Sequence, residues 1–194
     1  MADPETYASQ ADLQTRITAD GSADTVPAAP LQTLLESAGS EIDAHCGRDF
    51  WEHADDVAAM RVARDSEALL LPHFPVRSIK GITVDGVELG VAELAALTLE
   101  GGGIVRGGFW GKGAEVEITY TWGYDGTTYA RPSQVREACL RLASRKYRLA
   151  KLRDRAAAGV TSESLGGYSV SIDPKGQDAD VWALLKSLRR RGAA

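Results

Sequence analysis

The chain has 194 residues, the size of one elaborated domain, and its 44% hydrophobic and 25% charged residues exclude wholesale disorder, collagen-like repeats and low complexity. Its 22 basic and 27 acidic residues leave a net charge of -5, no stretch reaches the about 18 uninterrupted apolar residues of a membrane helix, and the acidic start Met1-Ala2-Asp3-Pro4-Glu5 is unlike a secretory signal. Two cysteines, Cys46 and Cys139, both within apolar helical patterns, exclude a disulfide scaffold and predict buried thiols in a reducing compartment.

Residues 9–17 read as a short helix: Ser9 caps it, Asp12 sits in its first turn, and Leu13 and Ile17 lie one turn apart. A polar link over 20–29 follows. Pro30 opens a second helix whose Leu31, Leu34, Leu35, Ala38, Ile42 and Cys46 form one apolar stripe, with Gly47 as its stop. Phe50 and Trp51, just beyond, are expected to fold back onto that stripe.

From about residue 57 to 124 the period becomes alternating, with turn residues at short intervals, which predicts a compact antiparallel sheet region. Within it 67–71 and 76–84 read as strands separated by Pro72 and Pro75, Asp85-Gly86 is a hairpin signal before 87–89, and the glycines at 101–103 join 97–99 to Ile104 and Val105. The clearest strand is 115–122. Its Val116, Ile118, Tyr120 and Trp122 face one way and Glu115, Glu117, Thr119 and Thr121 the other, so one face is buried and one is wet.

Pro132, at a first helical position, begins the longest element, which runs to about residue 158 and spans about 40 Å at 1.5 Å per residue. Val135, Ala138, Cys139, Leu142, Ala143, Tyr147 and Ala150 make its apolar stripe, while Leu140, Leu149 and Leu152 fall on the opposite, charged face. The Gly/Ser patch at 159–167 breaks it. Residues 168–172 then alternate like a short strand with Tyr168, Val170 and Ile172 on one side, and 178–191 read as a final helix with Val181, Trp182, Leu185 and Leu188 together. The predicted fold class is therefore α+β: a small bundle of helices including one long helix, with an inserted antiparallel β region. Its divisions are 1–50 for the N-terminal helices, 51–130 for the inserted β region, 131–158 for the long core helix and 159–194 for a C-terminal arm.

Charge is segregated along the chain: residues 1–130 hold 8 basic and 21 acidic residues, and 131–158 hold 9 and 2. A basic helix of this kind lies against acidic partners in its own chain or a neighbouring copy, or faces nucleic acid. Catalytic groups do not assemble from the pattern. His45, His53 and His73 are isolated, and His45-Cys46 with His53 lacks the second ligand pair of a zinc site. No Gly-x-Ser-x-Gly elbow occurs, the glycines at 101–103 and 107–113 lack the strand-to-helix context of a phosphate loop, and Asp55-Asp56 reads as a solvated turn. The expectation is a non-enzyme without metal or cofactor.

Four signatures follow one another in the chain: Ile42-Asp43-Ala44-His45-Cys46-Gly47-Arg48-Asp49-Phe50, Leu71-Pro72-His73-Phe74-Pro75-Val76, Gly123-Tyr124 ahead of the Pro132 helix, and the run from Gly159 through Gly166-Gly167-Tyr168 to Val170. In this order they resemble the head-tail connector (adaptor, head-completion) proteins of long-tailed bacteriophages and gene-transfer particles. The resemblance implies a structural adaptor, about twelve copies (a dodecamer) in a closed ring that connects the capsid portal to the tail and continues the DNA channel. It implies the portal protein and a tail-side stopper or tail terminator as partners, double-stranded DNA passing without sequence specificity, no membrane, and a place in the virion after synthesis in the host cytoplasm.

On that reading Arg141, Arg145, Arg148 and Lys151 are subunit-interface or channel residues, and Tyr168, Val170, Ile172 and Trp182 bind a partner. The strand would add to a portal sheet edge or a neighbouring copy, with Trp182 as anchor; the other reading closes the chain's own sheet and packs Trp182 on its own long helix. The alternative function is a DNA-binding regulatory protein using the basic helix 131–158, although Ser133-Gln134 at its start offers little for reading bases.

Overall fold

The computed structural model describes residues 6–19, 26–100, 102–157 and 178–189, without the side chains of 152–157. In chain order the elements are α1 (Gln10–Ala19), α2 (Ala28–Cys46), β1 (His53–Arg61), β2 (Ser66–Leu70), β3 (Val76–Val84), β4 (Val87–Glu88), α3 (Val91–Ala96), β5 (Thr98–Glu100), β6 (Ile104–Trp110), β7 (Glu115–Trp122), α4 (Ser133–Ala157) and α5 (Ala179–Leu185). The fold is α+β, as the patterning predicts. It divides into a helical unit, Met1–Asp49 with Pro132–Ala194, and a β unit, Phe50–Arg131.

In the helical unit, α1 starts with a reciprocal cap. The Asp12 N–H donates to Ser9 Oγ at 3.1 Å and the Ser9 N–H donates to Asp12 Oδ2 at 3.3 Å. α2 begins two residues before Pro30, which the first turn tolerates because an N–H there has no intrahelical acceptor. Leu31, Leu35, Ala38, Ile42 and Cys46 are buried, and Gly47 ends the helix at φ 67°, its N–H donating to the Asp43 carbonyl at 2.8 Å. α4 packs against α1, α2 and α5. Val135, Ala138, Cys139, Leu142 and Ala143 are buried as expected, but so is Leu140, at 5% exposure, because a helix with neighbours on several sides buries more than one stripe. Tyr147 is half-buried and Ala150 exposed, contrary to the predicted stripe, since the cover ends there. α5 is half as long as predicted and buries Val181 and Leu185.

The β unit holds a four-stranded sheet in the order β1-β7-β3-β4 and a three-stranded sheet in the order β2-β6-β5, with every pairing antiparallel. Their inner faces share one core in which Leu69, Leu71, Val105 and Trp110 meet Ile82, Val116, Ile118 and Tyr120. The strand read as clearest, β7, is flanked on both sides; its Val116, Ile118, Tyr120 and Trp122 are buried and Glu115 and Glu117 exposed, but Thr119 is half-buried and Thr121 buried, so the predicted wet face holds only for the first half of the strand, whose end is covered on both faces. The Asp85-Gly86 turn has φ 49° and 80°, the positive pair that a two-residue hairpin needs. β1 starts at His53, earlier than the alternation shows, because a bulge at Asp55 (φ 56°) shifts the phase of the pattern. The short helix α3 was not expected; the Gly90 N–H donates to Glu93 Oε2 at 2.7 Å to start it, and it buries nothing. Phe50 is buried, and within the β unit its ring lies 6.1 Å from Tyr124, while Arg131 sits 4.0 Å over Trp51 and its Nε donates to the Phe50 carbonyl at 3.0 Å.

Candidate assembly surfaces

The basic helix carries the strongest charge in the sequence, and four of the eight basic residues of α4 pair inside the helical unit. Arg136 pairs with Asp12 at 2.8 Å, Arg141 with Glu137 at 2.6 Å and Asp180 at 3.0 Å, Arg145 with Asp178 at 3.0 Å and Asp180 at 2.7 Å, and Lys146 with Glu41. Arg16 of α1 adds a 3.1 Å contact to Glu137. The hydrogen bond from Arg145 holds the Asp180 carboxyl below its ordinary range. At Glu137 burial works upward, but the bonds from Arg141 and Arg16 outweigh it and the carboxyl is lowered. Residues 50–131 hold 7 basic and 12 acidic residues, and the rest of the chain holds 15 of each. The whole net charge of -5 therefore sits in the β unit, and the helical unit is balanced.

Arg141 and Arg145 thus grip α5 rather than standing clear of it. Arg148 is exposed on α4, and Lys151 Nζ lies 5.4 Å over the Tyr147 ring. Trp182 is half-buried and stacks on His45, at the end of α2, with centroids 4.4 Å apart and an interplanar angle of 20°. Tyr168, Val170 and Ile172 lie outside the described residues.

The histidines, which look isolated in sequence, are all stacked on tryptophans. His53 and His73 lie 4.0 Å and 4.4 Å from the Trp122 ring, nearly parallel to it. Trp122 Nε1–H donates to Asp56 Oδ2 at 2.6 Å, and His73 Nδ1 is 2.8 Å from Tyr120 Oη. The cluster joins the loop after β2, β1 and β7, a link across more than sixty residues of sequence that no local spacing announces. It is a packing and hydrogen-bonding cluster. Among the described residues no group of three or more His, Cys, Asp and Glu is placed to hold a metal, and no helix is long and apolar enough to cross a membrane.

Burial pushes the Cys46 thiol up to about 11 and Cys139 to about 12, so neither is a ready nucleophile at neutral pH. Burial likewise raises the Asp43 carboxyl to about 6, against the effect of the Tyr7 hydroxyl, which donates to Asp43 Oδ1 at 2.5 Å. The regulator reading finds no support in the helix it invoked. Near the start of α4, Val135, Ala138 and Cys139 are core residues, and the exposed face carries only Ser133, Gln134 and Arg136, the last paired with Asp12, which offers little for reading bases.

No protein-family model matches the chain, and no curated protein sequence matches it. Solved structures do. The fold is similar to a chain in the neck of an empty GTA particle with C6 symmetry (TM-score 0.56, 21% identity, covering 100% of this chain and 95% of the other). It is similar to one in the neck of a native GTA particle with C12 symmetry (TM-score 0.55, 20% identity, 100% and 94%). A chain of the virion of a native gene transfer agent (GTA) particle gives TM-score 0.58 at 19% identity, covering 100% and 95%. The likeness is one of fold, and it runs through both units from end to end.

Proposed function

We propose that this chain is a structural adaptor in the neck of a phage-like or gene-transfer particle, assembling as a closed ring between the capsid portal and the tail and continuing the DNA channel. One observation carries the reading: the likeness to neck chains takes in all of this chain and 94–95% of each neck chain, so the helical unit and its β insertion are matched together rather than one common motif alone. Necks with C6 and C12 symmetry support a ring of identical copies, most simply twelve, joined by heterologous contacts that close on themselves. The order of signatures from Ile42 to Val170 supports the same role independently. Within it, Arg148 and Lys151 face a neighbouring copy or the channel, Arg141 and Arg145 act through α5, and Tyr168, Val170, Ile172 and Trp182 belong to the arm that docks on the portal or a neighbour. The chain works by shape and contact, without catalysis. Particles purified from the producing cells test this: the chain should be found at the portal vertex in multiple symmetric copies, and its absence from intact particles would refute the proposal.

A further inference from the structure

We propose that the outer face of the four-stranded sheet is the seat for a second copy of this chain, which lays the basic C-terminal part of its α4 across it; this names the ring contact and rests on the adaptor reading above. Pairing places Ala59, Glu117, Thr83 and Glu88 in one row across β1, β7, β3 and β4, with Arg61 and Glu115 paired beside it on one side and Val57, Thr119 and Gly81 on the other. Glu88 leans over this face, its Oε1 3.9 Å from where a Cβ on Gly81 would stand. The side chains are small between the carboxylates, Val57 is 54% exposed, and a depression of about 540 Å³ opens beside Ala59, Thr83, Glu115 and Glu117. Among the described residues Glu88, Glu115 and Glu117 have no ion-pair partner; Arg61, beside Glu115, directs its Nε to the Gly113 carbonyl, and Lys80, next to Gly81, is paired with Asp55.

Charge selects the occupant. The β unit holds the entire net charge of -5, and residues 148–155 of α4 hold four basic residues, Arg148, Lys151, Arg153 and Arg155, against Asp154 alone. The spacing agrees. Strands stand about 4.8 Å apart, so Glu117 and Glu88, two strands apart, are separated by about 10 Å. A helix rises 1.5 Å per residue, so positions 148 and 155 are also about 10 Å apart along α4. A helix crossing the strands sets basic positions over carboxylates, and the aliphatic stems of Arg and Lys cover Val57 and Ala59. The surfaces are different patches of one chain, so the contact is heterologous and propagates from copy to copy. Nucleic acid is repelled from this face by its charge.

Charge exchange tests the contact. Glu115→Lys with Glu117→Lys makes the face basic, and Arg148→Glu with Lys151→Glu makes the helix acidic; circular dichroism and melting temperature should match wild type for both, with Gln at the same positions as the milder pair if a reversal unfolds. Full-length tagged and untagged chains are mixed at about 50 mM salt, fixed by a zero-length carboxyl-amine cross-linker and captured. Wild type should capture wild type, and face variant with face variant or helix variant with helix variant should capture about tenfold less. Face variant with helix variant should recover wild-type capture, because both contacts again join opposite charges. Wild-type chains that do not capture each other, like-variant mixtures that match wild type, or a mixed pair that recovers nothing overturns the proposal. Purified particles separate it from the adaptor reading. Wild type and both variants incorporating equally at the neck would remove this contact and keep the adaptor, whereas recovered capture with no chain in particles would keep the contact and remove the adaptor.

Discussion

Asp43 is the side chain whose environment departs most usefully from its ordinary one. Burial raises its carboxyl from 3.8 to about 6. Because the folded value is the higher, its favourable contribution is full below 3.8 and is lost as pH rises through about 6, so at neutral pH the ionised group weighs against the fold. Asp43→Asn keeps an acceptor for the Tyr7 hydroxyl and removes the titration. Thermal unfolding from pH 4 to 8 should show the variant gaining on wild type across that window by about 1 kcal/mol, a figure discounted for the partial exposure of the group; parallel profiles would contradict the environment described. The buried thiols give a second expectation. Cys46 and Cys139, raised to about 11 and about 12, should resist a thiol reagent at pH 8 in the native state and react fully in denaturant. A third concerns Gly123, at φ 93°, where an added Cβ would lie 1.8 Å from the Trp51 carbonyl oxygen. Neither backbone segment yields cheaply there, so Gly123→Ala should destabilise the β unit by about 3 kcal/mol or more, read from its urea midpoint.

At the scale of elements, α5 has an unusual mode of attachment. It has seven residues and buries only Val181 and Leu185, so its own packing is thin. The rest comes from the Trp182–His45 stack and from Asp178 and Asp180 held by Arg141 and Arg145. Each such partly exposed pair is worth about 0.2–1 kcal/mol, and reversal to like charge adds repulsion. Arg141→Glu with Arg145→Glu should release α5. Trp182 emission should shift to the red and 178–189 become open to limited proteolysis, while the main unfolding transition moves little. About 1 M salt should produce part of the same change in wild type, since the screening length falls to about 3 Å. An unchanged spectrum and cleavage pattern would mean that Val181 and Leu185 hold α5 unaided. Reversal of these two arginines is therefore a poor test of ring assembly, because it first undoes a contact within the chain.

The whole molecule is a helical unit interrupted by a β unit, and the interruption is fastened at its neck. The Arg131 guanidinium stacks on Trp51 and bonds to the Phe50 carbonyl, so the first and last residues of the β unit stand side by side. Residues 50–131 also contain every strand found among the described residues and the core between the two sheets. Expressed alone they should fold cooperatively, with dispersed amide resonances and a single unfolding transition, because no described strand of either sheet is left out. A collapsed, poorly dispersed spectrum would show that the core depends on the rest of the chain. The arrangement puts balanced charge in one unit and net acidity in the other, a division from which a copy-to-copy contact can be built.

The amino-acid sequence by itself determined the elements whose information is local. The Ser9 and Asp12 cap, the α2 stripe ending at Gly47, the Asp85-Gly86 hairpin and the alternation over Glu115 to Ile118 of β7 each depend on residues within a few positions of one another, and each stands in the fold as read. The insertion of a β region between helices was legible for the same reason, since the hydrophobic period changes twice along the chain. Where a local rule is broken, legibility fails. The bulge at Asp55 shifted the phase of β1, and α3 buries no residue that would print a period. Tertiary structure alone decided which surfaces meet. It buried Leu140 by covering α4 on several sides, stacked His53 and His73 on Trp122, brought Asp178 and Asp180 to Arg145, and confined the net charge to the β unit. The physical reason is that periodicity records which face of its own element a side chain occupies, whereas the partner across that face is set by chain segments tens of residues away, brought together only when the core forms.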